Sequence, residues 1–227
     1  MTFSKQQISI SNPESRTLTF NLEDVLADLF PFLEKYLPDF PKYLTLTDAD
    51  EAEKSITQDL ASFLNNCETR LGKYYFDFRN EHKPNKSHRS FDIGLLLTAK
   101  TYGNKLIFIF EAKRLPPDNS TKRQYEYLVG KKGGIERFKT KAHFNSYNIN
   151  TNGMFGFIQK ESTSHWLFFL NTHIETLETN PIDTEVKWSK NEQLEYKSNF
   201  GKVDYLISKH VFGSDRITLH HYWIDLQ

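Results

Sequence analysis

Two apolar runs separated by a short turn-like stretch constrain this chain more than any other feature. The first is SFDIGLLLT, Ser90 to Thr98; the second is KLIFIFEAK, Lys105 to Lys113. Tyr102-Gly103-Asn104 lies between them. Short apolar runs bounded by turn formers read as strands, and two in succession read as a hairpin. The second run is almost continuously apolar, which predicts a central strand covered on both faces. Side chains alternate with period two along a strand. Ile107, Ile109, Glu111 and Lys113 are therefore expected on one face, with Asp92 of the first strand across from them. Charges at the end of an apolar sheet are costly unless they are paired or hold a cation.

The flanking sequence supplies further elements. Gln7 to Ser11 and Thr17 to Phe20 read as short strands, and Asn21 as the N-cap of a helix through Phe30 with Glu23 and Asp24 in its first turn. Pro31, Pro38 and Pro41 are expected to break the chain after Phe30 into short pieces. A helix is expected from about Asp50 to Asn66, with Ile56, Leu60, Phe63 and Leu64 as its apolar stripe and Glu53 heading the inward face. Lys73 to Asn80 reads as a strand before the hairpin. After the turn-rich LPPDNST, a helical stretch opens near Lys122 and is broken at Gly133-Gly134; Ile135, Phe138 and Ala142 then resume an inward face. Gly153 to Gln159 reads as a buried strand, reached by a crossover of the kind a parallel pair requires. Ser164 to Leu177 is an amphipathic helix on Trp166, Leu170, Ile174 and Leu177. Residues 178–200 are polar and give no clear element. Val203 to Val211 and Arg216 to Leu226 read as strands, the last half-exposed by its alternation.

An acid on one strand and Glu-x-Lys on the next, here Asp92 and Glu111-Ala112-Lys113, resembles the PD-(D/E)XK nuclease superfamily. The resemblance covers roughly residues 51 to 160 and departs at the proline, where Phe91 stands. It implies an α/β (α+β) fold: a mixed central β-sheet flanked by helices, with a restriction-endonuclease-like αβββαβ core. Residues 1–50 would be an N-terminal extension, 51–160 the nuclease core, and 161–227 a C-terminal helix and strands packed on it within one globular domain. It also implies a magnesium- or manganese-dependent nuclease that hydrolyses phosphodiester bonds, DNA before RNA, in a setting such as phage defence or restriction. Glu53 matches the helix glutamate of the superfamily, with Glu51 as the alternate. The Ala112 carbonyl would complete the metal ligands, and Gln124 resembles a glutamine that follows Glu-x-Lys in some relatives.

The residue types agree with that chemistry. Asp92 and Glu111 are hard oxygen ligands suited to magnesium or manganese. A lysine beside them, Lys113, can steady an attacking water and developing negative charge. Net charge is zero, but it is unevenly spread. Residues 21–60 hold ten acids against three bases, and residues 122–141 hold seven bases against two acids. Lys83, Lys86, Arg89, Lys122, Arg123, Gln124 and Arg137 are the candidate contacts to a nucleic-acid backbone. No glycine-flanked serine, P-loop or dinucleotide fingerprint is present. His220 and His221 are adjacent, so a strand would point them to opposite faces, away from a shared metal.

Cys67 is the single cysteine, which excludes an internal disulfide framework. The start MTFSKQQISIS lacks a basic end leading into an apolar stretch, so no secretory signal is expected. No run has the length of a membrane span, and a cytoplasmic location is expected. A homodimer or a defence-system partner protein is compatible with the unplaced flanks. Two other functions fit the same residues: a catalytically silent nucleic-acid-binding module with this fold, and a structural or interaction protein in which Glu111 and Lys113 form a strand-end ion pair.

Overall fold

The computed structural model describes residues 7–10, 18–44, 53–71, 76–82, 91–97, 105–115, 121–130, 134–140, 150–181, 184, 186–212 and 215–227. Strands β1 (Gln7–Ile10) and β2 (Leu18–Asn21) form a two-stranded ribbon leading into α1 (Leu22–Tyr36). A 3-10 turn, Leu37–Asp39, joins α1 to α2 (Phe40–Tyr43), and α3 (Glu53–Leu71) comes after it. Next come β3 (Phe76–His82), β4 (Phe91–Leu97) and β5 (Lys105–Leu115), then the short helices α4 (Thr121–Gln124) and α5 (Ile135–Lys139). The chain continues through β6 (Thr151–Ile158), α6 (Thr163–Thr179), β7 (Glu195–Asn199), β8 (Val203–Phe212) and β9 (Asp215–Asp225).

Seven strands form one mixed sheet in the order β3-β4-β5-β6-β9-β8-β7. The expected hairpin lies inside it: β3, β4 and β5 are antiparallel, and β5 pairs with β6 in parallel across the expected crossover. β9 then inserts parallel to β6, and β8 and β7 complete the sheet antiparallel. The protein is thus an α/β fold with helices on both faces.

Each face buries its own helices. On one face Leu29 and Leu33 of α1 and Ile56, Leu60 and Leu64 of α3 pack on Phe78, Ile93, Leu95, Phe108, Phe110 and Phe155. On the other, Tyr127, Ile135, Phe138 and α6 pack on Ile109, Met154, Leu206, Leu219 and Trp223. Trp166, Leu170, Ile174 and Leu177 form the buried stripe of α6, as their spacing predicts. Each fully buried side chain of this size contributes about 1.5–3 kcal/mol.

Several expectations need correction. Helix α1 does not stop at Phe30 but runs through Pro31 to Tyr36. Proline there withholds an N–H from the Ala27 carbonyl and costs about 3 kcal/mol. Burial of Phe32 and Leu33 just beyond it continues the apolar stripe and offsets that cost. Ile107 and Ile109 do not share a face. Leu95 pairs with Phe108 and Leu96 with Leu106, so Ile107 is an extra residue, a β-bulge that reverses the alternation. Ile107 joins the α3 face, while Ile109 lies on the α6 face with Glu111. The last strand is not half-exposed: flanked by β6 and β8, β9 is buried continuously from Leu219 to Ile224. Residues 178–200 include a 3-10 turn, Lys190–Glu192, and the fully exposed β7.

Candidate active site

The polar cluster lies where one strand outruns its neighbour. β4 begins at Phe91, and its pairing with β5 is registered from Ile93 opposite Phe110. β5 continues to Leu115 with only β6 paired alongside. Backbone groups of Ala112 and Arg114 on the β4 side therefore need other partners. Side chains supply them. Asp92 Oδ2 accepts a hydrogen bond from the Ala112 N–H at 2.9 Å, and Glu53 Oε2 accepts one from the Arg114 N–H at 3.1 Å. Lys113 Nζ donates to the Ala112 carbonyl at 2.8 Å and to Glu53 Oε1 at 2.7 Å, and lies 3.9 Å from Asp92 Oδ2.

Glu53 is the first residue of α3 rather than one turn inside it. From there its carboxylate reaches the end of β5, 60 residues along the chain. Asp92 and Glu111 each stand one residue beyond the Ile93–Phe110 pair, which makes them cross-strand neighbours whose charges act on one another. Glu111 is fully buried, and Arg137 of α5 donates to its Oε2 at 2.8 Å. Asp92 and Glu53 keep 29% and 31% of their side chains exposed, so the cluster opens to solvent on their side.

Burial and like charge set the protonation of the pair. Burial pushes the Asp92 carboxyl up to about 7, with the adjacent Glu111 charge acting in the same direction; Lys113 and the Ala112 N–H oppose. Glu111 is also raised, by burial first, against the pull of Arg137 and Lys113. Burial works to lower the Lys113 ammonium, but Glu53, Asp92 and Glu111 outweigh it and hold it above the ordinary lysine range. Lys113 is thus charged at neutral pH.

The structure brings together Glu53, Asp92, Glu111, Ala112 and Lys113, and adds Arg137. The other candidate contacts are distributed differently. Arg123 is exposed and Gln124 half-buried on α4, while of Lys122 only the backbone lies among the described residues. Lys83, Lys86 and Arg89, with the alternate acid Glu51, lie outside the described residues. Among the described basic candidates, Arg137 is the one that meets the acidic cluster, and it does so as an ion pair with Glu111, not as an open phosphate contact.

Comparison with family models, curated proteins and solved structures gives no match for this chain. The cluster must therefore be judged on its own chemistry. Among the described residues no group of three or more His, Cys, Asp or Glu side chains converges as a metal cage. What is present is two neighbouring carboxylates and a backbone carbonyl beside one ammonium. That oxygen set fits magnesium, which takes one or two carboxylates and keeps most of its waters. Burial first, and the neighbouring Glu111 charge second, disfavour the ionised form of Asp92, and a divalent cation would offset both.

A second polar network is buried on the α6 face. Trp223 Nε1 donates to the Tyr127 hydroxyl at 2.8 Å, and that hydroxyl meets His221 Nδ1 at 2.8 Å. Ser208 Oγ lies 2.7 Å from both His221 Nε2 and His210 Nε2. His210 Nδ1 is 3.6 Å from Glu192, which is ion-paired with Lys139. His220 points to the other face and meets the Tyr205 hydroxyl at 2.7 Å, so the two adjacent histidines do part as expected. The polar residues of SKH and HHYW, set inside otherwise apolar strands, were the sequence signal for this network. A surface cavity of about 540 Å³, lined by Thr163, Ser164, Leu167, Phe168, Tyr196 and Asp204, shares no residue with either cluster.

Proposed function

We propose that this chain is a metal-dependent phosphodiesterase that cleaves nucleic acid, DNA before RNA. One observation carries the proposal: Glu53, Asp92, Glu111 and Lys113, from one helix and two strands, converge at the end of β5, with Lys113 bonded to Glu53 and 3.9 Å from Asp92, and Glu111 beside Asp92 across the strands. Asp92, Glu111 and the Ala112 carbonyl would hold a magnesium or manganese ion, which when bound polarises a phosphate and lowers the pKa of a water. Lys113 remains protonated, so it orients that water and meets negative charge developing on the phosphate. Glu53 keeps the Lys113 ammonium in place by accepting its hydrogen bond. The hydrophobic wall of Ile109, Met154 and Leu115 lowers the local dielectric and strengthens these electrostatic contacts. A role in phage defence or restriction is the biological setting that fits such an activity.

A structural reading has its own observation. Asp92, Glu53 and Lys113 satisfy the backbone of β5 where β4 ends. A silent nucleic-acid-binding module would use the same residues in the same way. An assay of magnesium-dependent cleavage on single- and double-stranded DNA and RNA separates the three. The nuclease reading expects cleavage that EDTA abolishes and that D92N and K113A each reduce by about 100-fold or more. D92N keeps an oxygen for the Ala112 N–H, so its loss of activity would not be a loss of fold. Metal-dependent binding without cleavage favours the silent module. No cleavage and no binding, with D92A merely less stable, leaves the structural reading.

A further inference from the structure

Arg137 is bonded to Glu111, a carboxylate that a metal ion would use. Its guanidinium donates to Glu111 Oε2 at 2.8 Å, with the arginine side chain 13% exposed and the carboxylate fully buried. The helix that carries it is held on both sides of this contact. Glu136 accepts from the Gly130 N–H at 2.9 Å and from the Thr184 hydroxyl at 2.7 Å, and Lys139 is paired with Glu192. Arg137 is therefore aimed at Glu111 by its own element, not by an accident of surface rotamers.

Charge balance then decides what happens when a divalent cation enters. Three carboxylates, Glu53, Asp92 and Glu111, face two cations, Lys113 and Arg137. A divalent ion in place of Arg137 brings the ionised cluster to neutrality. A divalent ion in addition to Arg137 leaves an excess positive charge in a buried site, where unbalanced charge is costly. We infer that Arg137 is an internal counter-ion that competes with the divalent cation for Glu111, so that the protein's metal affinity is set by the cost of releasing this arginine. The inference rests on the metal-dependent reading above and adds a mode of regulation to it.

The test is Mn²⁺ binding by isothermal titration calorimetry on the full chain, with wild type, R137Q and R137K. Glutamine can still donate a neutral hydrogen bond to Glu111, whereas lysine keeps the competing charge. R137Q is expected to bind Mn²⁺ about tenfold tighter or more, a difference of about 1.4 kcal/mol. R137K should stay within about threefold of wild type. Equal or weaker binding by R137Q, with wild type binding normally, overturns the inference and leaves the metal-dependent reading standing. No Mn²⁺ binding by any of the three overturns both. If R137Q is unfolded without metal, recovery of its far-UV signal by Mn²⁺ below the wild-type Kd supports the inference, and failure to recover overturns it.

Discussion

Asp92 accepts from the Ala112 N–H while the Glu111 charge acts on it from the neighbouring strand. The first contact favours the charged form, and the second, with burial, favours the neutral one; burial wins and holds Asp92 near 7. That shift fixes the sign of the stability effect. An unfolded aspartate titrates at about 3.9. Between that value and about 7 the folded protein keeps a proton that the unfolded chain releases, so this group's contribution to stability falls as pH rises through the window. D92N carries no such charge. Without divalent cations it should be more stable than wild type at pH 8 by about 1–2 kcal/mol, with the gap closing toward pH 4. Urea unfolding in EDTA across that range checks it; a gap independent of pH would mean that burial and Glu111 do not raise the Asp92 pKa. If the proposed metal site is right, added Mg²⁺ should shrink the gap at pH 8, since the cation would offset the charge of wild type alone.

Helix α5 has only five residues, yet three of its side chains are tied to different parts of the protein. Glu136 holds Gly130 and Thr184, Arg137 holds Glu111, and Lys139 holds Glu192 and lies 4.3 Å over the Trp188 ring. Its start depends on Gly134, at φ +80°, where an added Cβ would stand 2.5 Å from the Glu126 carbonyl oxygen and 2.7 Å from that of Tyr127. G134A cannot relieve this by moving a side chain, because both obstacles are backbone. It should destabilise the protein by about 2–4 kcal/mol, read as a lower urea midpoint with unchanged slope. A loss under about 0.5 kcal/mol would show the start of α5 to be loosely held. The start of a helix after Gly134 was legible because glycine is a poor helix former, although the stretch opening at Lys122 already ends at Gln124; the stripe of α6 was legible because its spacing repeats. The bulge at Ile107 was not legible. Every residue from Leu106 to Phe110 is apolar and all are buried, so the sequence carries no polar mark of which face each one takes. Glu111 and Lys113 kept their relation to each other only because the bulge precedes both. The pairing of Arg137 with Glu111 was illegible for another reason: it joins residues 26 apart through a short helix whose placement depends on three long-range ion pairs and hydrogen bonds.

At the scale of the whole molecule, one sheet carries two separate polar clusters. The acidic cluster lies where β5 outruns β4, and the histidine network lies across β9 and β8 beneath the α5–α6 side. The network reads in one direction if the Tyr127 hydroxyl, already an acceptor from Trp223, donates to His221 Nδ1. His221 Nε2–H then donates to Ser208, Ser208 to His210 Nε2, and His210 Nδ1–H faces Glu192. Both rings are neutral in this arrangement, and each nitrogen has one role. Burial, the first cause in each case, lowers the pKa of His210 and His221; the neighbouring His210 and His220 act further on His221, while Glu192 pulls His210 back up. The fold therefore refuses protons that an unfolded histidine takes up below about 6.5. Stability from these groups is present above that value and is lost as pH falls below it. Asp92 pushes the other way over part of the same range, so wild type alone cannot isolate the effect. H221Q can: glutamine still offers an acceptor to Tyr127 and a donor to Ser208, but does not titrate. Between pH 6.5 and 5, wild type should lose about 1 kcal/mol per pH unit more than H221Q, measured by urea unfolding at matched ionic strength. Parallel pH dependence for the two proteins would show that His221 takes up its proton within the fold and that Tyr127 and Ser208 do not fix its tautomer.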